Sequence, residues 1–437
     1  MKLSNRSILL FWAPLAATWL MMAAEGPFLA AVIARLADPK FNLAAHGVAF
    51  AFAILIEAPV IMLMSAATAL VEDRTSYKKL RNFTNALNAG STVALLVLLL
   101  PSVYVPLVEG VLGLPEAVAD IGYGALWFYL PWPAAIGIRR FLQGVLIRSG
   151  RTRLVAYGTV VRLIAMASTA LVLAMWTRMP GAWIGSASLA MGVIVEAVVS
   201  RWMARDAIRE LLDTPCPPGG TSDLLTYRGI SRFYSPLVLT SLIGLAVQPL
   251  LTFFMGRAAS PIESLAVFPV VNSLAFVFRA LGLSFQDASI ALIGRQREHY
   301  AELSRFTTLL GLGSMAGLGA IAFTPLASVW FETISGLTPD LAAFAYVPTR
   351  LAVPVAGLSV LLSFQRAVLM QARTTRPITV ATTLEVAVIG FAFVVGGWWL
   401  GLVGVTAAFA AFVAGRIVST TYLVVAARSV RRNSVTR

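Results

Sequence analysis

The chain has 437 residues, of which 58% are hydrophobic and 12% charged, and its mean hydropathy is +0.82. A soluble domain carries about 25% charged residues, so this composition excludes a water-soluble protein and places most of the chain in lipid. The net charge of +14 then reports orientation in the membrane, and no nucleic-acid partner is expected.

A bilayer-spanning helix takes about 20 apolar residues. In chain order, twelve such segments are predicted: 8–36, 43–70, 84–108, 120–148, 153–176, 181–203, 231–258, 263–293, 304–327, 340–371, 376–399 and 401–428. The N-terminus, with Lys2 and Arg6 before an apolar run ending Met22-Ala23-Ala24, has the outline of a signal peptide. It is read as the first span instead, because the segment has a copy deep in the chain. The loops on the side of the N-terminus, with both termini, hold 23 of the 34 Lys and Arg, against four on the other side: Arg35, Lys40, Arg178 and Arg257. By the positive-inside rule both termini are cytoplasmic, in a multi-pass protein of the plasma (inner) membrane.

Residues 11–74 align without a gap onto 233–296, and 19 of these 64 pairs are identical, more than an Ala- and Leu-rich composition gives by chance. The match continues after a one-residue shift, with Pro131 meeting Pro354 and Arg153 meeting Arg376. Six helices per copy give both halves the same orientation. The expected fold is therefore an all-α polytopic membrane protein of twelve helices in two parallel six-helix repeats. The halves are 1–203 and 231–437, joined by a polar cytoplasmic linker, 204–230, rich in turn-forming residues. The single cysteine, Cys216, lies in that linker and excludes an intrachain disulfide. Pro14 and Pro236, and Pro27 and Pro249, occupy equivalent positions, as packing kinks or as hinges of an alternating-access motion.

Away from their ends, the predicted spans hold twelve charged residues: Glu25, Glu57, Glu196, Asp287 and Glu385, and Arg139, Arg140, Arg162, Arg279, Arg350, Arg366 and Arg416. An unpaired charge at that depth costs at least a few kcal/mol. None is a lysine, and arginine suits buried pairing or the binding of carboxylate and phosphate. Three repeat-related pairs have opposite sign: Glu57 with Arg279, Arg162 with Glu385, and, at a different offset of 220, Glu196 with Arg416. These are expected to bond across the interface between the halves, as static ion pairs or as gates. With those pairs cancelled, Arg139, Arg140, Arg350 and Arg366 face only Glu25 and Asp287, a positive surplus that favours an anionic cargo. Glu25 is a candidate coupling site for H⁺ or Na⁺, or a salt-bridge partner of one of the arginines. His46, near one end of the second span, is either a titrating group or a hydrogen-bonded interfacial residue. Two histidines and one cysteine do not build a usual zinc site, and no GxxxxGK[ST] motif is present. No enzyme activity, metal or organic cofactor is expected.

Several short segments carry a resemblance. Ala45-His46-Gly47-Val48-Ala49-Phe50, Tyr346-Val-Pro-Thr-Arg350-Leu351 and Gly401-Leu-Val-Gly-Val-Thr are similar to segments of the progressive ankylosis proteins. Glu25-Gly26 lies within about a residue of that family's Gly-Glu. This branch belongs to the superfamily that also holds multidrug and toxin extrusion transporters and lipid-linked flippases. The loop Val71-Glu-Asp-Arg-Thr-Ser-Tyr-Lys-Lys-Leu80, by contrast, lacks the glycine-rich motif of major facilitators. The resemblance implies a monomeric secondary transporter that exports organic or phosphate-bearing anions such as citrate, nucleotide or pyrophosphate. Arg350 carries over as a binding residue, with Arg279, Arg139 and Arg140 expected beside it. Glu25, Glu57, Arg162, Glu385, Glu196, Arg416 and Asp287 are then coupling or gating groups. Glu57 has no clear counterpart in the resembled family, and drug exporters often carry acids in helix 7 where this chain has Gln248. An H⁺- or Na⁺-coupled multidrug exporter and a lipid-linked precursor flippase remain alternatives.

Overall fold

The computed structural model of the chain describes residues 3–23, 25–33, 35–111, 115–214, 226–294, 297–335 and 337–435. Cys216 lies outside them. The described residues are almost entirely helical, the exception to loops and helices being one isolated bridge between Ala259 and Val403. In chain order the helices are α1 (Asn5–Ala23), α2 (Glu25–Ile33), α3 (Pro39–Glu57), α4 (Leu63–Leu70), α5 (Arg74–Leu98), α6 (Pro101–Val105), α7 (Glu116–Trp127), α8 (Trp132–Arg148), α9 (Thr152–Trp176), α10 (Gly181–Met203) and α11 (Arg205–Asp213). The second half contributes α12 (Tyr227–Met255), α13 (Pro261–Leu292), α14 (Tyr300–Ala322), α15 (Leu326–Ser328), α16 (Pro339–Gln371), α17 (Arg376–Phe393) and α18 (Gly404–Val435). Short π-helical turns follow α6, α15 and α17.

Two compact units emerge. One is 17–232, and the other is 233–437 together with residues 1–16. Among the described residues, seven helices are long and apolar enough to cross a membrane, and two bent pairs, α5 with α6 and α14 with α15, raise the number to nine. The twelve predicted spans are all helical, but five of them are built from two pieces.

The breaks have local causes. After α3 the chain turns through Ala58–Met62, where Pro59 lacks an N–H and the Glu57 carbonyl accepts from Val60 and Ile61 instead. The repeat-equivalent position in α13 is Leu281, not proline, and α13 runs unbroken for 32 residues. The chain breaks again at residues 128–131, where Pro131 and Pro133 bracket the start of α8. Only the first of these has a proline counterpart, Pro354, and that one is absorbed within the 33-residue α16. Pro14 likewise lies inside an unbroken α1, and Pro236 and Pro249 inside an unbroken α12. The third spans of both halves bend, by 74° and 85°, where Pro101 and Pro325 stand within one residue of the same point in the repeat.

The repeat reaches individual hydrogen bonds. In the first half the Asn42 side chain accepts from the Ala182 N–H at 3.0 Å, and in the second Ser264 Oγ accepts from the Val405 N–H at 3.1 Å. Both bonds satisfy a free donor at the N-terminus of a sixth span. In the second unit the core is aromatic and aliphatic, with Phe268 stacked on Phe412 at 6.4 Å and tilted against Phe409 at 5.8 Å.

Candidate functional site

The intramembrane charges assemble into one cluster within each unit, and glycines set the registers. A Cβ on Gly192 of α10 would stand 3.0 Å from the Arg162 carbonyl and 3.1 Å from Met166 Cβ on α9. A Cβ on Gly415 of α18 would stand 2.9 Å from the Glu385 carbonyl and 2.6 Å from Ile389 on α17. Both glycines thus let two helix backbones approach closely, at positions 223 apart. This offset corrects the one used to match Glu196 with Arg416. Glu196 follows its glycine by four residues and Arg416 follows its own by one, so their side chains leave the two helices at different angles.

In the first unit the cluster centres on Glu196, which is fully buried. Its carboxylate accepts from Arg139 Nη1 at 2.7 Å, from Gln143 Nε2 at 3.0 Å and from Thr159 Oγ1 at 3.3 Å. Arg162 Nη1 lies 3.7 Å away from it. The same Arg162 donates through Nη2 to Glu25 on α2. Glu57, the last residue of α3, accepts the Trp132 indole N–H at 3.0 Å. Arg140 packs its guanidinium 5.8 Å from the Trp19 ring and near Met64 Sδ. Three carboxylates and three guanidiniums therefore balance, buried among apolar side chains.

The second unit reverses the polarity. Arg416 Nη2 donates to Glu385 Oε1 at 3.0 Å, Arg366 Nη2 donates to Thr382 Oγ1 at 3.0 Å, and Arg279 stands within electrostatic reach of all three charges. Arg279 is half-buried in the middle of α13 and makes no hydrogen bond or ion pair among the described residues. Three of these positions repeat three of the first unit: Arg279 that of Glu57, Glu385 that of Arg162, and Arg366 that of Gln143. Where the first unit balances three acids with three arginines, the second sets three arginines near one acid. Among the described residues, three guanidiniums stand within electrostatic reach of one carboxylate, and two of them, Arg279 and Arg366, make no ion pair.

The expected partners change accordingly. Arg162 bonds Glu25 and Glu196, Glu196 also bonds Arg139, and Glu385 bonds Arg416, so every ion pair found among these residues lies within the residue's own unit. The physical reason is that helices packed at glycine contacts bring side chains of neighbouring spans to bonding distance. Arg139, counted among the surplus cations, is buried and paired with Glu196. Gln143, Thr159 and Trp132 were missed because uncharged residues give no signal in a search for intramembrane charge. The match of Gln143 to Arg366 at the repeat offset is the signal that would have found the first of them.

No protein-family model matches the sequence, and no curated protein matches it. Solved structures do. A MATE transporter of Vibrio cholerae superposes with a TM-score of 0.77 at 17% identity, over 98% of this chain and 96% of that one. A eukaryotic MATE transporter gives 0.72 at 11% identity, over 98% of both chains. A transporter of the MOP superfamily from Pyrococcus furiosus gives 0.74 at 15% identity, over 97% and 94%. The fold is that of the MATE transporters.

Within this MATE fold the first cluster joins spans 1, 4, 5 and 6, with Glu57 at the break of span 2, and the second joins spans 8, 10, 11 and 12. Three other expected site residues lie apart. Arg350, eleven residues from the start of α16, is exposed; its Nε donates to the Ala322 carbonyl at 3.4 Å and its guanidinium lies 5.6 Å from the Phe323 ring. It therefore caps the C-terminal end of α14, where free carbonyls favour a cation. Asp287 is buried in α13 and has partners of its own. His46 faces the Ser186 hydroxyl at 3.4 Å and stacks on Phe50, a placement that fits a hydrogen-bonded packing residue.

Proposed function

We propose that the chain is a secondary active transporter that exports small organic or phosphate-bearing anions by alternating access of its two halves. The fold places it among structures of membrane transporters, and the choice of cargo rests on one observation. Arg279, mid-helix and without an ion-pair partner among the described residues, stands with Arg366 and Arg416 around a single carboxylate. Retaining so much positive charge inside a membrane unit is costly unless an anion neutralises it during the work cycle. The Nε atoms of Arg366 and Arg416 are buried without a hydrogen-bond partner among the described residues, as are those of Arg139 and Arg162 in the balanced cluster, so the charge surplus alone singles out the second unit. The Pyrococcus furiosus structure is described by a binding pocket of reverse polarity that suggests a different function. The arginine-rich cluster of this chain is consistent with an anionic cargo.

Glu25 is the coupling group in this reading. Its Oε2 is held by Arg162 while Oε1 has no hydrogen-bond partner among the described residues, so a proton or a sodium ion has an oxygen to bind. Cargo leaves the cell across the plasma (inner) membrane, both termini face the cytoplasm, and the transporter acts as a monomer. The family within the superfamily that fits this cargo is that of the progressive ankylosis proteins.

The test compares cells expressing the wild type with cells expressing Arg279→Gln, measuring citrate, nucleotides and pyrophosphate in the medium with and without a proton gradient. The proposal requires a wild-type excess of one of these anions that Arg279→Gln removes. Equal anions in both media, together with lowered sensitivity to cationic drugs in the wild type alone, would replace it with drug efflux.

A further inference from the structure

A cleft of about 400 Å³ opens on the surface of the first unit between α5, α8 and α10. Its walls include Ile138, Phe141, Leu142 and Val198, and Arg81 and Arg201 line it at the end where α5 begins and α10 finishes. We infer that this cleft holds an anionic phospholipid, with the phosphate between Arg81 and Arg201 and an acyl chain along the apolar walls.

The geometry of α5 brings the first arginine there. Asp73 caps the helix, accepting from the Ser76 N–H at 2.9 Å while Ser76 Oγ accepts from the Asp73 N–H at 3.0 Å. That box fixes the phase of the first turns, so Tyr77 and Arg81 share one face. Tyr77 is buried against Phe141, and the Arg81 guanidinium lies 5.9 Å from its ring. Arg201 arrives from the last turn of α10. Neither arginine has an acidic partner among the described residues.

The occupant follows from charge and surroundings. α10 is apolar and long enough to cross a membrane, and Val198, 65% exposed on it, belongs against hydrocarbon. One helical position beyond Arg201, Trp202 is 63% exposed, as indoles are at the level of lipid headgroups. An apolar trough running down from two guanidiniums that have no acidic partner among the described residues, Arg81 donating only to the Asn82 side chain at 3.4 Å, matches an acyl chain below a phosphate. A soluble anion would fill the arginine end alone and leave the trough unexplained. The arginine end is also the basic, cytoplasmic end by the positive-inside rule, and anionic lipids concentrate in that leaflet.

Native mass spectrometry of the purified full-length protein, titrated with phosphatidylglycerol or phosphatidylcholine, tests the site. One phosphatidylglycerol should be retained in preference to phosphatidylcholine. The double variant Arg81→Gln, Arg201→Gln should weaken it about 25-fold, roughly fivefold for each arginine near the membrane surface. Val198→Trp, at an exposed position that tolerates a larger side chain, should obstruct the trough and weaken binding with both arginines present. Arg153→Gln, exposed at the same end but outside the cleft, should leave affinity unchanged. Equal retention of both lipids, wild-type affinity in the double variant, or an equal loss in Arg153→Gln would overturn the assignment. The site is separate from the arginine cluster of the other unit and stands or falls independently of what that cluster binds.

Discussion

Trp132 donates its indole N–H to the Glu57 carboxylate at 3.0 Å, tying the first residue of α8 to the last residue of α3. Each of these residues borders a break at a proline, so the bond joins the side chains of two interrupted spans where their helices end and begin. Its repeat counterpart does not exist, since Arg279 and Val355 stand at the equivalent positions and offer neither carboxylate nor indole.

Trp132→Phe removes that bond and leaves a buried carboxylate short of a donor. Hydrogen bonds to charged groups contribute about 1.5–3 kcal/mol, so the variant should unfold earlier in detergent by a comparable amount. Glu57→Gln added to Trp132→Phe should cost little more. Additive losses in the thermal unfolding of the two single variants and the double variant would show that the residues act separately.

Glu196→Gln is expected to be the most damaging single change in the first unit. It withdraws the shared carboxylate from Arg139 and Arg162, both buried. Breaking a buried pair from one side costs about 3–5 kcal/mol. Yield and thermal stability of the purified variant report the loss.

Arg279→Gln should behave in the opposite way. The residue has no ion-pair partner among the described residues and stands near two other guanidiniums, so replacing it relieves repulsion. Unfolding temperature should be unchanged or higher while anion transport falls by at least tenfold. A destabilised variant would mean that Arg279 holds the fold and not a ligand.

Arg350→Ala separates capping from cargo binding. Through its contact with the end of α14 it should contribute about 0.3–1 kcal/mol of stability, and its loss should leave transport at nearly the wild-type rate. Abolished transport in a folded protein would restore the binding role that the resemblance implied.

The helices, the repeat and the positions of the buried charges were legible in the sequence, because apolar length and a repeat offset of 222–223 are one-dimensional properties. The partners were not. An offset says that Arg162 and Glu385 occupy equivalent places, but bonding depends on how each helix is rotated and how closely its neighbour approaches. Gly192 and Gly415 control that approach, and neither carries a chemical signal of its own. The broken spans were likewise hidden, since Pro59 and Pro131 interrupt helices while Pro14 and Pro354 are tolerated within them. Proline in the chain permits a break, and packing on both sides decides whether it occurs.

The central claim is that the arginine cluster of the second unit serves an anion. Purified protein reconstituted in liposomes loaded with citrate, nucleotide or pyrophosphate, with a proton or sodium gradient imposed, tests it most directly. The account predicts saturable, gradient-dependent efflux of one of these anions by the wild type and none by a folded Arg279→Gln variant. Efflux of a cationic dye by both proteins, with no movement of any anion by either, would contradict it.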